Sequence, residues 1–173
     1  VDGVNPALVH IVPSFPLGNG STYTLFTNSI EDLLGNVSGS QSMVFSYYLA
    51  ETPLPGDVIV NEFMADPTPV VGLPEIEFVE IYNKSTKVFN VQNWKLGDAA
   101  SNGTIQQAWL LPGEYMVLTG TSNVDSFAVA TAVTSFPSLN NAGDNIVIRD
   151  DLGNTLDSMT YADSWYGDAI KNA

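Results

Sequence analysis

The stretch GDVIVNEFMADPTPVVGLPEIEFVEIYNKSTKVFNVQNWKL (residues 56–96) decides the fold of this chain. Two runs within it, VIVNEF (58–63) and EFVEIYN (77–83), alternate with the period of two expected of strands. A proline-rich loop joins them and Trp94 follows. Each run carries a glutamate in an apolar row. By parity Glu62 stands in line with Val58 and Val60, and Glu80 with Phe78 and Tyr82. A carboxylate in such a row is costly unless it is hydrogen-bonded, paired or metal-bound. Two roles compete for the pair. One is acid/base chemistry of the glycosidase kind. The other is structural, each carboxylate accepting backbone N–H groups at a strand end or loop. The structural role is preferred, because no nucleophile, histidine or metal-ligand set accompanies Glu62 and Glu80.

Outward from this stretch the period of two continues. LVHIV (8–12), TYTLFT (22–27), MVFSYYL (43–49), YMVLTG (115–120), NIVIRD (145–150) and TLDSMTY (155–161) all read as strands. The punctuation is that of an all-β protein: LGNGS (17–21), LGNVSGS (34–40), NNAGD (140–144) and DDLGN (150–154). In the last of these, and in Asp32–Asn36, Asp and Asn are expected to satisfy local backbone groups, with Gly153 free to take positive φ in a hairpin. Helix is confined to a turn or two within 123–130. Strands spaced by turns predict a sandwich or barrel.

The chain has 173 residues, of which 45% are hydrophobic and 14% charged, so it can bury a core. Its net charge is −14. That opposes contact with a nucleic-acid backbone or an anionic lipid surface, and suits solubility, divalent cations or a basic partner. There is no cysteine, which excludes disulfides, thiol catalysis and cysteine-based zinc sites. The single histidine, His10, leaves a His-rich metal site or a serine triad without material. No apolar run approaches the roughly 20 residues that span a bilayer, and no targeting signal is visible. The start, VDGVNPALVHIVP (1–13), reads like the middle of a domain, so the chain is expected to be a fragment of a longer protein.

AETPLPG (50–56) divides the chain. Residues 1–50 form a first segment, 51–56 a short linker, 57–168 the main domain and 169–173 a tail. Residues 1–56 carry four acids and no bases, and residues 57–168 carry fifteen acids against four bases. About three strands in the first segment are too few to close a sandwich. Its edges are expected to pack on the main domain or to pair between molecules, the second of which would make a dimer through this segment.

Residues 57–168 resemble the bacterial form of the lamin tail domain. The ordered series that carries the likeness is VIVNEFMADP (58–67), LPEIEFVEIYNKS (73–85), NWKLGD (93–98), LLPGEYMVLT (110–119), FPSLNNAGDNIVIRDDLGNTLDSMTY (136–161) and DSWYGD (163–168). Residues 1–49 resemble, over a shorter and less specific match, the C-terminal half of a bacterial Ig-like domain, through PLGNGSTYTLFTNSIEDLLGN (16–36). The resemblance implies an all-β, immunoglobulin-like sandwich. It also implies a non-catalytic module of a larger secreted or cell-surface bacterial protein that spaces or docks neighbouring domains, with other surface proteins or glycans as further partners. Chromatin contact, suggested by animal members of that family, is opposed by the −14 charge.

Further candidates lie on loops. Asp66, Glu75 and Glu77 crowd 65–77 and offer hard oxygen ligands for Ca²⁺, though at no EF-hand spacing; a solvated acidic loop is the competing account. Asp163 and Asp168 belong to the same question. Trp109, Trp165 and Tyr166 are candidate stacking platforms for a sugar ring, whereas Trp94 is assigned to the core. No cofactor is called for. Ca²⁺- or carbohydrate-dependent adhesion is the alternative to the scaffold role, and hydrolysis by paired carboxylates is less favoured. Ser158 in DSM (157–159) resembles a short O-glycosylation acceptor. Asn19, Asn36, Asn83 and Asn102 head N-x-S/T triplets that matter only where N-glycosylation operates.

Overall fold

The computed structural model describes residues 8–32, 34–70, 72–98 and 100–166. Two compact units divide between Leu49 and Ala50. The first contains an antiparallel hairpin of β1 (Ser21–Thr27) and β2 (Gln41–Tyr47). Its register sets Tyr23 opposite Phe45 and Leu25 opposite Met43, which gathers apolar side chains on one face. There Tyr23 stacks on Phe45 with ring centroids 5.7 Å apart. On the other face the hydroxyls of Thr22 and Ser46 meet at 2.9 Å. The strand expected over 8–12 is not formed, and Leu8, Val9, Ile11 and Val12 are exposed. Alternation makes a strand only where a neighbouring edge satisfies its backbone, and the described sheet of this unit consists of β1 and β2 alone.

The second unit holds β3 (Val58–Met64), β4 (Phe78–Asn83), β5 (Phe89–Asn90), β6 (Lys95–Gly97), β7 (Asn102–Ile105), β8 (Trp109–Leu110), β9 (Tyr115–Gly120), β10 (Thr131–Thr134), β11 (Gly143–Arg149) and β12 (Thr155–Ala162). Eight of them form one sheet in the order β12-β11-β6-β7-β10-β9-β4-β3, and β5 pairs with β8 separately. The large sheet folds over until its two edge strands, β12 and β3, come together. Gly56 N–H donates to the Leu156 carbonyl at 2.8 Å, and Val60 N–H donates to the Asp157 carboxylate at 2.8 Å. Edges that would otherwise template pairing with another chain are thereby joined to each other. The strands β5, β6, β7, β8 and β10 run two to four residues each, too short for alternation to be visible in sequence. A 3₁₀ turn at Val124–Ser126 falls where a helical turn was expected, and another closes β12 at Asp163–Tyr166.

Inside, Val79, Ile81, Phe89, Leu96, Leu118, Ile146 and Ile148 are fully buried. Trp94 joins them at 2% exposure and lies 5.7 Å from the Phe89 ring. Truncating a core tryptophan of this kind typically costs about 3–5 kcal/mol.

A β-bulge changes the meaning of the opening stretch. Val60 pairs with Ile81, but the next aligned pair is Glu62 with Glu80, so Asn61 is an extra residue. Parity flips there. Val58 and Val60 serve the core, Glu62 is exposed, and Phe63 returns to the core opposite Val79. The expected apolar row therefore does not contain Glu62. Glu80 is half-buried, on the side of β4 opposite to the buried Val79, Ile81 and Asn83.

Candidate interaction surface

Most of the polar residues that stand out in the sequence are engaged in holding the backbone. The loops at Asp32 and Asp150 are built alike. In each, Asp Oδ1 accepts the N–H groups of the leucine two residues on and the asparagine four residues on, and Oδ2 accepts the asparagine side-chain amide. In each, the glycine sits at φ +87°, a conformation that a side chain would strain. Hydrogen bonds from Asn36 and from the nearby backbone hold the Asp32 carboxyl below the usual carboxylate range. Asp57 combines opposing effects. Burial pushes its carboxyl up, but hydrogen bonds from Lys87 Nζ, at 2.7 Å, and from Leu54 N–H outweigh this and leave it lowered.

The three Ca²⁺ candidates do not converge. Asp66 is buried and accepts the Thr68 N–H at 3.2 Å and the Thr68 hydroxyl at 3.1 Å. Glu75 is exposed. Glu77 is half-buried and accepts the Leu139 N–H at 3.2 Å; burial raises its carboxyl above the ordinary value, and that hydrogen bond only partly opposes the rise. Among the described residues no group of three His, Asp or Glu side chains gathers as a cation site would require. Asp163 opens a 3₁₀ turn, Asp163–Tyr166, while Asp168 lies outside the described residues.

Glu62 and Glu80 are direct cross-strand neighbours. Asn61 Nδ2 donates to Glu80 Oε1 at 2.8 Å. Both carboxylates lie mid-strand, and neither caps a strand end or loop as the sequence reading expected. The bulge brings Asn61 and Glu62 together opposite Glu80.

The aromatic candidates separate. Trp165 is 61% exposed in the final 3₁₀ turn, and the side chain of Tyr166 lies outside the described residues. Trp109 is half-buried and lines a groove of about 590 Å³ with Glu114, Tyr115, Val117, Val129 and Thr131. Tyr115, which the sequence did not single out, stacks on Tyr82 at 4.5 Å between ring centroids. Its signal was the start of YMVLTG, where an aromatic occupies an exposed strand position. A second, more polar cleft of about 420 Å³ lies over Trp94, between Glu51, Asn90, Gln92 and the turn at Asp150–Leu152.

Ser158 is exposed on β12, opposite Val147. Asn83 is fully buried; its amide donates to the carbonyls of Lys87, at 2.8 Å, and Leu110, at 3.2 Å, so this triplet is closed to a glycan.

Short strands folded into a two-layer sheet around a buried tryptophan define an immunoglobulin-like β-sandwich. The model of the lamin tail domain family matches residues 51–163, and the chain belongs to that family, an Ig-like, non-enzymatic class of domain. No curated protein matches the sequence.

Proposed function

We propose that this chain is a non-catalytic interaction module of a larger secreted or cell-surface bacterial protein, spacing or docking neighbouring domains. One observation carries the proposal: the carboxylates serve the architecture. At least ten acidic side chains accept backbone N–H groups, among them Glu51, Asp57, Asp98, Glu114, Asp144 and Asp157. One surface open to contact is a groove lined largely by aromatic and apolar side chains. The acidic composition suits solubility and a basic partner. The apolar face of the β1–β2 hairpin, with Met43 and Phe45 exposed, supports pairing of that segment with a neighbouring domain or a second copy.

The competing account is glycan binding, favoured by Trp109 and Tyr115 sharing one groove. The test is reducing-sugar release from soluble polysaccharides by the wild-type chain and by Glu62→Gln and Glu80→Gln. The expected result is no release by any of the three, with melting temperatures within about 2 °C of one another, as surface changes of under ~0.5 kcal/mol produce. Release that disappears in either variant would overturn the non-catalytic assignment.

A further inference from the structure

β9 pairs with different strands at its two ends: β4 holds its first four residues on one side and β10 its last three on the other. On the first side Tyr115–Leu118 face Tyr82–Val79 of β4. On the second, β10 reaches only Leu118, Thr119 and Gly120, because it begins at Thr131. Among the described residues the backbone of Tyr115–Val117 has no ladder partner there.

Which groups point into this gap follows from strand alternation. The Glu114 carbonyl accepts the Asn83 N–H at 3.0 Å, so the even-numbered residues of this run direct their backbone groups at β4. The N–H and C=O of Tyr115 and the N–H of Val117 therefore point away from β4. That gap is the groove described above. It is the space β10 would fill if it ran two residues further toward its N-terminus. Val129 instead leaves the ladder and is 84% exposed.

We propose that the groove accepts an extended peptide segment as an added strand on β9. Its backbone N–H donates to the Tyr115 carbonyl, and its carbonyl accepts the Val117 N–H. Apolar side chains at alternate positions lie against Trp109 and Val129. A sugar ring would stack on the aromatics, whereas an added strand also matches the alternation of these backbone groups residue by residue. The segment is basic: Glu114 stands at the rim, no Lys or Arg among the described residues lines the groove, and the chain carries −14. This inference rests on the interaction-module role and names the class of partner.

The test uses the full chain and three probes in amide-shift titrations: acetyl-Lys-Val-Lys-Val-Lys-Val-amide, the same peptide N-methylated at alternate backbone nitrogens, and cellohexaose. The first peptide is expected to shift Tyr115, Met116, Val117 and the Trp109 indole. N-methylation should weaken binding at least tenfold, since it removes backbone donors and keeps the side chains. Val129→Lys, at an exposed position, should weaken binding similarly while the spectrum elsewhere stays unchanged. Equal binding of both peptides, shifts from cellohexaose alone, or no shift from any probe would each overturn the proposal. Shifts from cellohexaose alone would leave the module role standing and assign the groove to glycans.

Discussion

Replacing Glu62 by lysine tests the placement of the opening stretch directly. Glu62 and Glu80 are opposite one another across the β3–β4 ladder, on the outer side of the bulge. Directly opposed residues hold their Cβ atoms about 4.5–5.5 Å apart, which puts the two charges roughly 6.5 Å apart. In a water-like dielectric that repulsion is about 0.6 kcal/mol, falling to about 0.3 kcal/mol at physiological ionic strength. Lysine turns repulsion into attraction, so Glu62→Lys should stabilise by about 1 kcal/mol at 10 mM salt, about 0.6 kcal/mol at 0.15 M, and close to zero at 1 M. For a domain of roughly 110 residues these correspond to a rise in Tm of about 4 °C, about 2.5 °C and nothing measurable. Glu62→Gln should give about half of each rise. Thermal unfolding followed by circular dichroism at the three salt concentrations reads the result. Had the sequence parity held, lysine would enter an apolar row and destabilise by several kcal/mol at every salt concentration. A fall in Tm, or a rise that does not respond to salt, refutes the outward placement.

Other substitutions probe the framework. Asp150→Ala removes the acceptor of three hydrogen bonds, at 3.0, 2.7 and 2.8 Å, from a residue 2% exposed; a loss of about 2–4 kcal/mol is expected in urea unfolding. Gly103→Ala places a Cβ 2.5 Å from Val133 Cγ1 and 2.8 Å from the Ser135 carbonyl, both on or beside the adjacent strand β10; overpacking should cost about 1–3 kcal/mol by the same assay. Glu77 governs a pH response. Because its carboxyl is raised in the folded state, the native chain holds a proton that the unfolded chain has released. Its contribution to stability is therefore lost as pH rises from the ordinary glutamate range through the raised value. Glu77→Gln should remove that slope and leave the protein at least as stable as wild type at pH 7, measured by urea midpoints across pH 3–8. Asp57 acts in the opposite sense: its lowered carboxyl contributes stability that disappears as pH falls through its depressed value, so Asp57→Asn should flatten the acid limb of the same curve.

The all-β class, the central strands and the twin Asp–Asn loops were legible because each is a local matter. VIVNEF and EFVEIYN carry enough alternation to declare strands, and D-x-L-G-N supplies a carboxylate, a positive-φ glycine and an amide within five residues. Trp94 was legible as core from its apolar setting. The strands of two to four residues were not, since nothing so short displays a period. LVHIV displayed a period and formed no strand, because pairing needs a neighbour that local sequence cannot supply. The groove escaped notice because it is made by where β10 stops relative to β9, residues apart in the chain.

The sequence by itself determined the fold class and the family, since the period of two, the turn chemistry and the ordered motifs all follow from neighbours along the chain. The tertiary structure decided what Glu62 and Glu80 mean. One inserted residue, Asn61, reverses which face every later side chain of β3 occupies. Whether such an insertion exists depends on how β3 aligns with β4, a register that only the assembled sheet fixes.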